Sequence, residues 1–123
     1  MAEFLYKELT EALIGAAMEV HKILGGGFLE SVYQNALAYE LRLRKIPFEE
    51  QVRMAVYYKG AMMGEFIADF VIDGKGIVEI KAVSGLSSAH IAQTLHYLAA
   101  TGNKVGMLLN FCGKSLEYRR LVK

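Results

Sequence analysis

The feature that most constrains this chain is a pair of short strand-like runs, residues 66–72 and 77–83, joined by a tight turn. Glu79 and Lys81 lie two residues apart in the second run, so they point to the same face of an extended strand. Asp69 in the first run brings a second carboxylate to the same neighbourhood. Charges within an apolar strand are costly unless they are paired or hold a metal. The pattern therefore suggests a hydrolytic metal site on a β-hairpin.

The length of the turn decides whether the three charges meet. Asp69 reaches the face of the other two only if its cross-strand partner is an odd-numbered residue, because side chains alternate along a strand. A three-residue loop satisfies this condition, with Gly74 or Gly76 in the left-handed conformation that such a loop requires. A two-residue turn would set Asp69 opposite Val78, away from the site, unless a bulge restored the register.

A divalent cation would explain two neighbouring carboxylates. Two like charges about 4 Å apart repel by several kcal/mol at an intermediate dielectric, and a cation removes that penalty. Oxygen ligands favour Mg²⁺ or Mn²⁺ over zinc, and three scattered histidines with the single Cys112 show no zinc spacing. The alternative is a structural hairpin in which Lys81 only pairs with Glu79 or Asp69, since charged pairs across hairpins are common.

Hydrophobic periodicity places this hairpin in a single α/β domain, residues 1–123. Apolar residues at spacings of three and four predict helices, and alternation rich in Val and Tyr predicts strands. A helix between strands implies a mixed sheet flanked by helices. The predicted elements are helices over 6–24 and 29–44, strands over 48–59, 66–72 and 76–83, a helix over 89–101, and strands over 104–111 and 116–122.

Two of the predicted helices carry polar groups suited to a site. Glu30 lies in the first turn of the second helix, where the helix dipole favours an acid in any case, and Tyr33 shares its face. On the third helix, Gln93 and Tyr97 share a face, and His90 lies on nearly the same side. Glu30 is thus a candidate third carboxylate, and Tyr33, His90 and Tyr97 are candidate nucleic-acid contacts. The alternatives are a helix-dipole acid, packed tyrosines and a surface histidine.

Composition limits the class of protein. A net charge of +1 excludes the basic excess of a general nucleic-acid coat. A hydrophobic fraction of 54% predicts a buried sheet and a subunit interface, and Met54, Met62 and Met63 near strand ends favour a homodimer. No apolar run approaches the ~20 residues of a membrane-spanning helix. An acidic N-terminus without signal-peptide layout and a lone cysteine predict a cytoplasmic protein.

Several segments together resemble the GxxExxY family, which belongs to the PD-(D/E)XK nuclease superfamily. The motif that names the family is Gly27, Glu30 and Tyr33 in this chain. The other segments that look similar follow in the right order and cover nearly the whole chain. They are residues 20–24, 37–44, 90–98 and 108–111.

The resemblance implies a restriction-endonuclease-like fold with an αβββαβ core, to which this chain adds an N-terminal helix. It implies that Asp69, Glu79 and the carbonyl of Ile80 bind Mg²⁺ and that Lys81 orients or activates water. On the flanking helices it implies an accessory acid and a helper amide. These residues are Glu30 and Gln93.

Two hypotheses about function follow. The first is a metal-dependent nuclease-like domain that hydrolyses phosphodiester bonds in DNA or RNA. The second is a non-catalytic module, binding nucleic acid or assembling with protein, that retains the nuclease fold. The near-neutral charge and apolar composition favour the second hypothesis, and the Asp69, Glu79 and Lys81 set favours the first.

Overall fold

The computed structural model describes residues 6–123, which form three helices and five strands. Every predicted element is present, with bounds shifted by a few residues in most cases. Among the helices of these residues, none combines the length and apolarity needed to cross a bilayer. The elements are α1 (Lys7–Leu24), α2 (Glu30–Leu43), β1 (Phe48–Tyr58), β2 (Ala61–Ile72), β3 (Gly76–Lys81), α3 (Ser88–Thr101), β4 (Val105–Asn110) and β5 (Glu117–Val122).

The five strands form one mixed sheet in the order β1-β2-β3-β4-β5. β3 and β4 run parallel and are joined through α3, whereas the other neighbours are antiparallel. One face of the sheet packs against α1 and α2, and the other packs against α3. The structure therefore confirms the predicted α/β class and the αβββαβ order with an additional N-terminal helix.

Side-chain alternation in β3 determines on which face of the sheet Glu79 and Lys81 lie. Val78 and Ile80 belong to the core beneath α1 and α2, and Ile77 belongs to the core beneath α3. Glu79 and Lys81 have the same parity as Ile77, so their side chains leave β3 on the α3 side. The helix that follows this hairpin is thus the one that covers its charges.

The β2–β3 turn is the three-residue loop that the site requires. Ile72 pairs with Gly76, and both Asp73 and Gly74 have positive φ, at 50° and 63°. Of the two glycines predicted as candidates for the left-handed position, Gly74 has the positive φ and Gly76 does not. Continued by one residue beyond its last pair, Phe70 and Val78, this register would set Asp69 opposite Glu79.

Two strand boundaries differ from prediction for identifiable reasons. β2 begins at Ala61 rather than 66, because Lys59 and Gly60 form a two-residue turn with positive φ, which lets pairing start at once. β3 ends at Lys81 rather than 83, because the side chain of Asn110 bonds both backbone groups of Val83. Those bonds satisfy the backbone N–H and C=O of Val83, so this residue needs no strand partner.

Candidate active site

Asp69 lies at a break in the β1–β2 ladder. Residues on either side of Gln51 and Asp69 pair across the strands, but these two do not, and Gln51 has a φ of 50°. The facing of β2 also changes here, since Ala68 packs in the α3-side core and Phe70 in the α1/α2-side core. Asp69 therefore sits between two faces rather than on either one.

The carboxylate of Asp69 is aimed at β3. Its Oδ2 accepts a hydrogen bond of 2.7 Å from the backbone N–H of Ile80. The β2–β3 ladder reaches only to the pair Phe70 and Val78, so the strands separate beyond it. The side chain of Asp69 thus bridges the place where the two strands diverge. A short bond to an ionised acceptor is among the stronger hydrogen bonds in proteins.

Glu79 is a buried acid with an unsatisfied oxygen. Its side chain is 9% exposed, and Oε1 has no hydrogen-bond partner among residues 6–123. Burial first, then the negative charge of Asp69, and then a hydrogen bond between the two side chains raise the pKa of Glu79 to about 8, while Lys81 acts in the opposite direction. A buried polar atom without a partner calls for an explanation, and a bound cation supplies one.

Lys81 and Tyr97 flank Glu79 on the α3 side. Lys81 is half-buried at the end of β3, where its carbonyl accepts a 3.0 Å bond from Phe111 N–H. The ring of Tyr97 stacks on Phe66, with centroids 3.6 Å apart. Burial, followed by the charge of Glu79, raises the pKa of the Tyr97 phenol. Both side chains are therefore electrostatic neighbours of the acid.

Glu30 does not complete a three-carboxylate cluster. It is exposed at the first residue of α2 and lines a depression of about 230 Å³ that also reaches Asp69. Its effect on the pKa of Glu79 is the smallest of those acting on that group. Over residues 6–123, no group of three or more His, Cys, Asp or Glu side chains is placed to hold a metal ion together. The role of Glu30 as a metal ligand stays a prediction, since the start of α2 leaves this side chain exposed at the depression that reaches Asp69.

The remaining donors still suit one hard cation. Asp69 and Glu79 would provide carboxylate oxygens and the Ile80 carbonyl a third oxygen, and all three roles stay predictions. Mg²⁺ keeps several waters and is commonly held by one or two carboxylates, so a two-carboxylate set is sufficient. The orphaned Oε1 of Glu79 is the observation that supports the fit.

Comparisons with known proteins identify the superfamily of this chain. A family model of the PD-(D/E)XK nuclease superfamily matches residues 7–121. The chain belongs to this superfamily. A search of curated proteins gives no match.

Solved structures place the PD-(D/E)XK chain among nuclease-like folds. The crystal structure of SSO0001 is similar with a TM-score of 0.59 and 22% identity, covering 98% of this chain and 59% of that one. The alkaline exonuclease LHK-Exo from Laribacter hongkongensis gives 0.57 at 12% identity, covering 88% and 67%. LHK-Exo in complex with dAMP gives 0.51 at 12%, covering 95% and 82%. The chain thus spans 59% of the length of SSO0001, and these likenesses establish the restriction-endonuclease-like fold.

Tyr33 is a buried core residue of this PD-(D/E)XK domain. Its side chain has no exposed surface, its hydroxyl donates to Gly25 O at 2.6 Å, and it accepts from Phe28 N–H at 3.2 Å. Its ring stacks on Phe111 with centroids 4.7 Å apart. The predicted nucleic-acid contact at Tyr33 is wrong, because the loop before α2 and Phe111 cover it. Gly27, with a φ of 105°, belongs to that loop.

The two other residues predicted on α3 lie near its N-terminus and on its surface. His90 is half-buried and closes a capping box with Ser87, in which Nδ1 accepts from Ser87 N–H at 3.1 Å. Gln93 is exposed. The nucleic-acid contacts of His90 and Tyr97 and the helper role of Gln93 stay predictions.

Sequence reasoning missed two residues that support the site. Gln34 donates to the carbonyl of Asp69, and Asn110, which is 2% exposed, holds the segment that follows Lys81. Gln34 lies four residues after Glu30, so helical spacing places it on the same face and could have identified it. Asn110 is a lone amide at the end of an apolar strand, which is a weaker signal.

Proposed function

We propose that this PD-(D/E)XK chain is a metal-dependent nuclease that hydrolyses phosphodiester bonds in nucleic acid. The observation that carries the proposal is the meeting of Asp69 and Glu79 where β2 and β3 diverge. Lys81 lies on the same face of β3 as Glu79, as the proposed chemistry needs. Membership of a nuclease superfamily supports the same conclusion.

Each of the three charged residues has a distinct role in this proposal. Asp69 and Glu79 hold Mg²⁺ or Mn²⁺. When bound, the cation would neutralise the negative charge that develops on the phosphate. Lys81 orients a water for attack on phosphorus. The water gives its proton to bulk solvent, the bond from phosphorus to the leaving oxygen breaks, and the leaving oxygen takes a proton from solvent. The Lys81 ammonium stabilises the negative charge that the attacking oxygen gains.

The surface above this site supplies candidate substrate contacts. Tyr97 presents a phenol beside Glu79, and His90 and Gln93 lie on the same helix, so we propose that α3 faces the nucleic acid. LHK-Exo, which shares the fold, is an alkaline exonuclease and has been crystallised with dAMP. DNA with free ends therefore belongs in any substrate panel.

Cleavage by the purified protein tests the proposal. We expect degradation of at least one substrate among linear duplex DNA, circular duplex DNA, single-stranded DNA and RNA, in Mg²⁺ or Mn²⁺ but not with chelator. Lys81→Ala should lower the rate about a hundredfold, because it removes the group that acts on water. Lys75→Ala, a half-exposed lysine in the loop of the same hairpin, is the control and should cleave normally.

Two results would contradict the nuclease. One is no cleavage of any substrate at micromolar protein. The other is an equal rate for the Lys81 and Lys75 variants, which would point to a contaminating enzyme.

We also propose that the chain belongs to the GxxExxY branch of the superfamily. Gly27, Glu30 and Tyr33 supply the motif. Gly27 has a positive φ in the loop before α2, and the Tyr33 hydroxyl is hydrogen-bonded to the backbone of that loop. The buried tyrosine anchors the loop, and the acid is left at the depression beside Asp69.

An exposed apolar surface favours the second function, a protein-assembly module, and with it a homodimer. Tyr57, Tyr58, Met62 and Met63 at the end of the β1–β2 hairpin are 58–63% exposed. Met54 is not part of this surface, since it packs in the α3-side core. We propose that two copies associate through the hairpin ends, and that the protein works in the cytoplasm.

Light scattering after size exclusion checks the homodimer. We expect twice the chain mass for the natural protein and the chain mass for Met62→Lys/Met63→Lys, because buried charges would oppose association. Met18→Lys, an exposed methionine on α1, is the matched control. A monomer at high concentration would remove the homodimer. A dimer that binds no cation would favour assembly over catalysis.

A further inference from the structure

Asp69 is held at two points by groups outside β1, the strand with which β2 otherwise pairs. Its carbonyl accepts a 3.2 Å hydrogen bond from Gln34 Nε2, on α2. Its carboxylate accepts the 2.7 Å bond from Ile80 N–H, on β3. The backbone and the side chain of one residue are therefore held by groups on two different elements.

Gln34 bonds the Asp69 carbonyl at a point where β1 and β2 form no residue pair. β1 and β2 pair on both sides of Gln51 and Asp69 but not at them, and the positive φ of Gln51 marks the irregularity. Backbone carbonyls in folded proteins require donors, and a side-chain amide from a packed helix can replace a ladder bond. Gln34 is half-buried, and its amide faces the depression beside Asp69.

The helix that carries Gln34 is itself held firmly at this level. The preceding residue, Tyr33, is fully buried, bonded to the loop before α2 and stacked on Phe111. Because this turn of α2 is held in place, the Gln34 amide can reach only a limited region. A residue that positions another residue needs such a constraint.

We infer that Gln34 is a positioning residue for Asp69, an inference that rests on the proposed nuclease function. The facing of β2 changes at Asp69, so the local backbone alone does not settle where the carboxylate points. Gln34 fixes the carbonyl, and this directs the carboxylate toward Ile80 and Glu79. The GxxExxY segment thereby connects α2 to the metal residues through its neighbour Gln34.

A competing interpretation gives Gln34 a role in surface packing only. Its Nε2 also lies 3.3 Å from Glu50 Oε1, so it could simply tie α2 to β1. The two interpretations differ in what the loss of Glu50 does. Glu50→Ala removes the packing contact and leaves the Asp69 contact in place.

The test compares Gln34→Met with two controls. Met has nearly the length and helix propensity of Gln but no donor, so the helix should persist. Asn35→Met changes the adjacent, exposed amide, and Glu50→Ala removes the competing contact. Two quantities are measured for each protein: Mg²⁺ and Mn²⁺ affinity by calorimetry, and the chemical shift and hydrogen exchange of the Ile80 amide in the metal-free state.

Gln34→Met is expected to bind cation about ten- to a hundredfold more weakly, as is usual when a group supporting a ligand is lost. The Ile80 amide should exchange faster and shift upfield, since its bond to Asp69 loosens. Both controls should match the natural protein in both measurements.

An unchanged Ile80 amide in Gln34→Met would overturn the inference, as would a Glu50→Ala variant that reproduces the Gln34→Met result. The amide readout needs neither metal nor activity. If the natural protein binds no cation, the proposed nuclease fails, while the Ile80 amide still decides the role of Gln34.

Discussion

Replacing Asp69 by Asn is expected to lower kcat/KM for cation-dependent cleavage by about a thousandfold, because losing one charged ligand removes several kcal/mol of transition-state stabilisation. The substitution is close to isosteric. Its amide oxygen can still accept the bond from Ile80 N–H, so the divergence of β2 and β3 should persist. Steady-state cleavage in saturating Mg²⁺ measures the loss.

When metal is absent, the same variant should be more stable than the natural protein above about pH 8. Glu79 is ionised there, and the negative charge of Asp69 is the second-largest cause of its raised pKa, so removing that charge relieves a repulsion. Asp73→Asn, in the loop of the same hairpin and partly exposed, is the control for loss of a carboxylate. Full activity in Asp69→Asn, or equal loss in both variants, would remove Asp69 from the site.

The second large effect is a fall in stability of the metal-free protein as the pH rises. The pKa of Glu79 is about 8 in the folded state and 4.5 as its unperturbed value. Between these pH values the folded protein keeps a proton that the unfolded chain has released, so the free energy of unfolding declines with pH. At about 1.4 kcal/mol per pKa unit, the contribution from Glu79 is on the order of 4–5 kcal/mol. Most of it is present near pH 4.5 and is lost above about pH 8.

Urea unfolding at pH 5, 6.5, 8 and 9 in chelator measures this decline. Glu79→Gln cannot ionise, so its stability should be flatter over the same window and exceed that of the natural protein at pH 9. Excess Mg²⁺ or Mn²⁺ should restore the stability of the natural protein at pH 8–9 by binding the ionised Glu79. It should leave the stability of Glu79→Gln unchanged. A decline of the same size in Glu79→Gln would assign the effect to other groups.

The hairpin shows what could be predicted from sequence. Period two placed Glu79 and Lys81 on one face, and the structure agrees. Whether Asp69 joined them depended on the loop, for which the sequence allowed two lengths. The three-residue loop that the structure contains depends on how β2 and β3 pack between two helical layers, which local residue preferences do not specify.

The helices show where prediction failed. Spacing placed Glu30 and Tyr33 on related faces of α2, but spacing does not reveal what covers a face. Tyr33 is enclosed by its own loop and Phe111, whereas Glu30 stays exposed. Helical spacing places Gln34 on the face of Glu30, but it does not reveal the partner of Gln34, a backbone carbonyl 35 positions later in the chain.

The order and type of the elements, and the parity that sets Glu79 beside Lys81, were determined by the sequence, because each depends on residues a few positions apart. The turn of Asp69 toward β3, the burial that raises the pKa of Glu79, and the covering of Tyr33 were decided only in the folded chain. These features depend on α2, β3 and the β4–β5 loop, which come together only when the sheet is assembled.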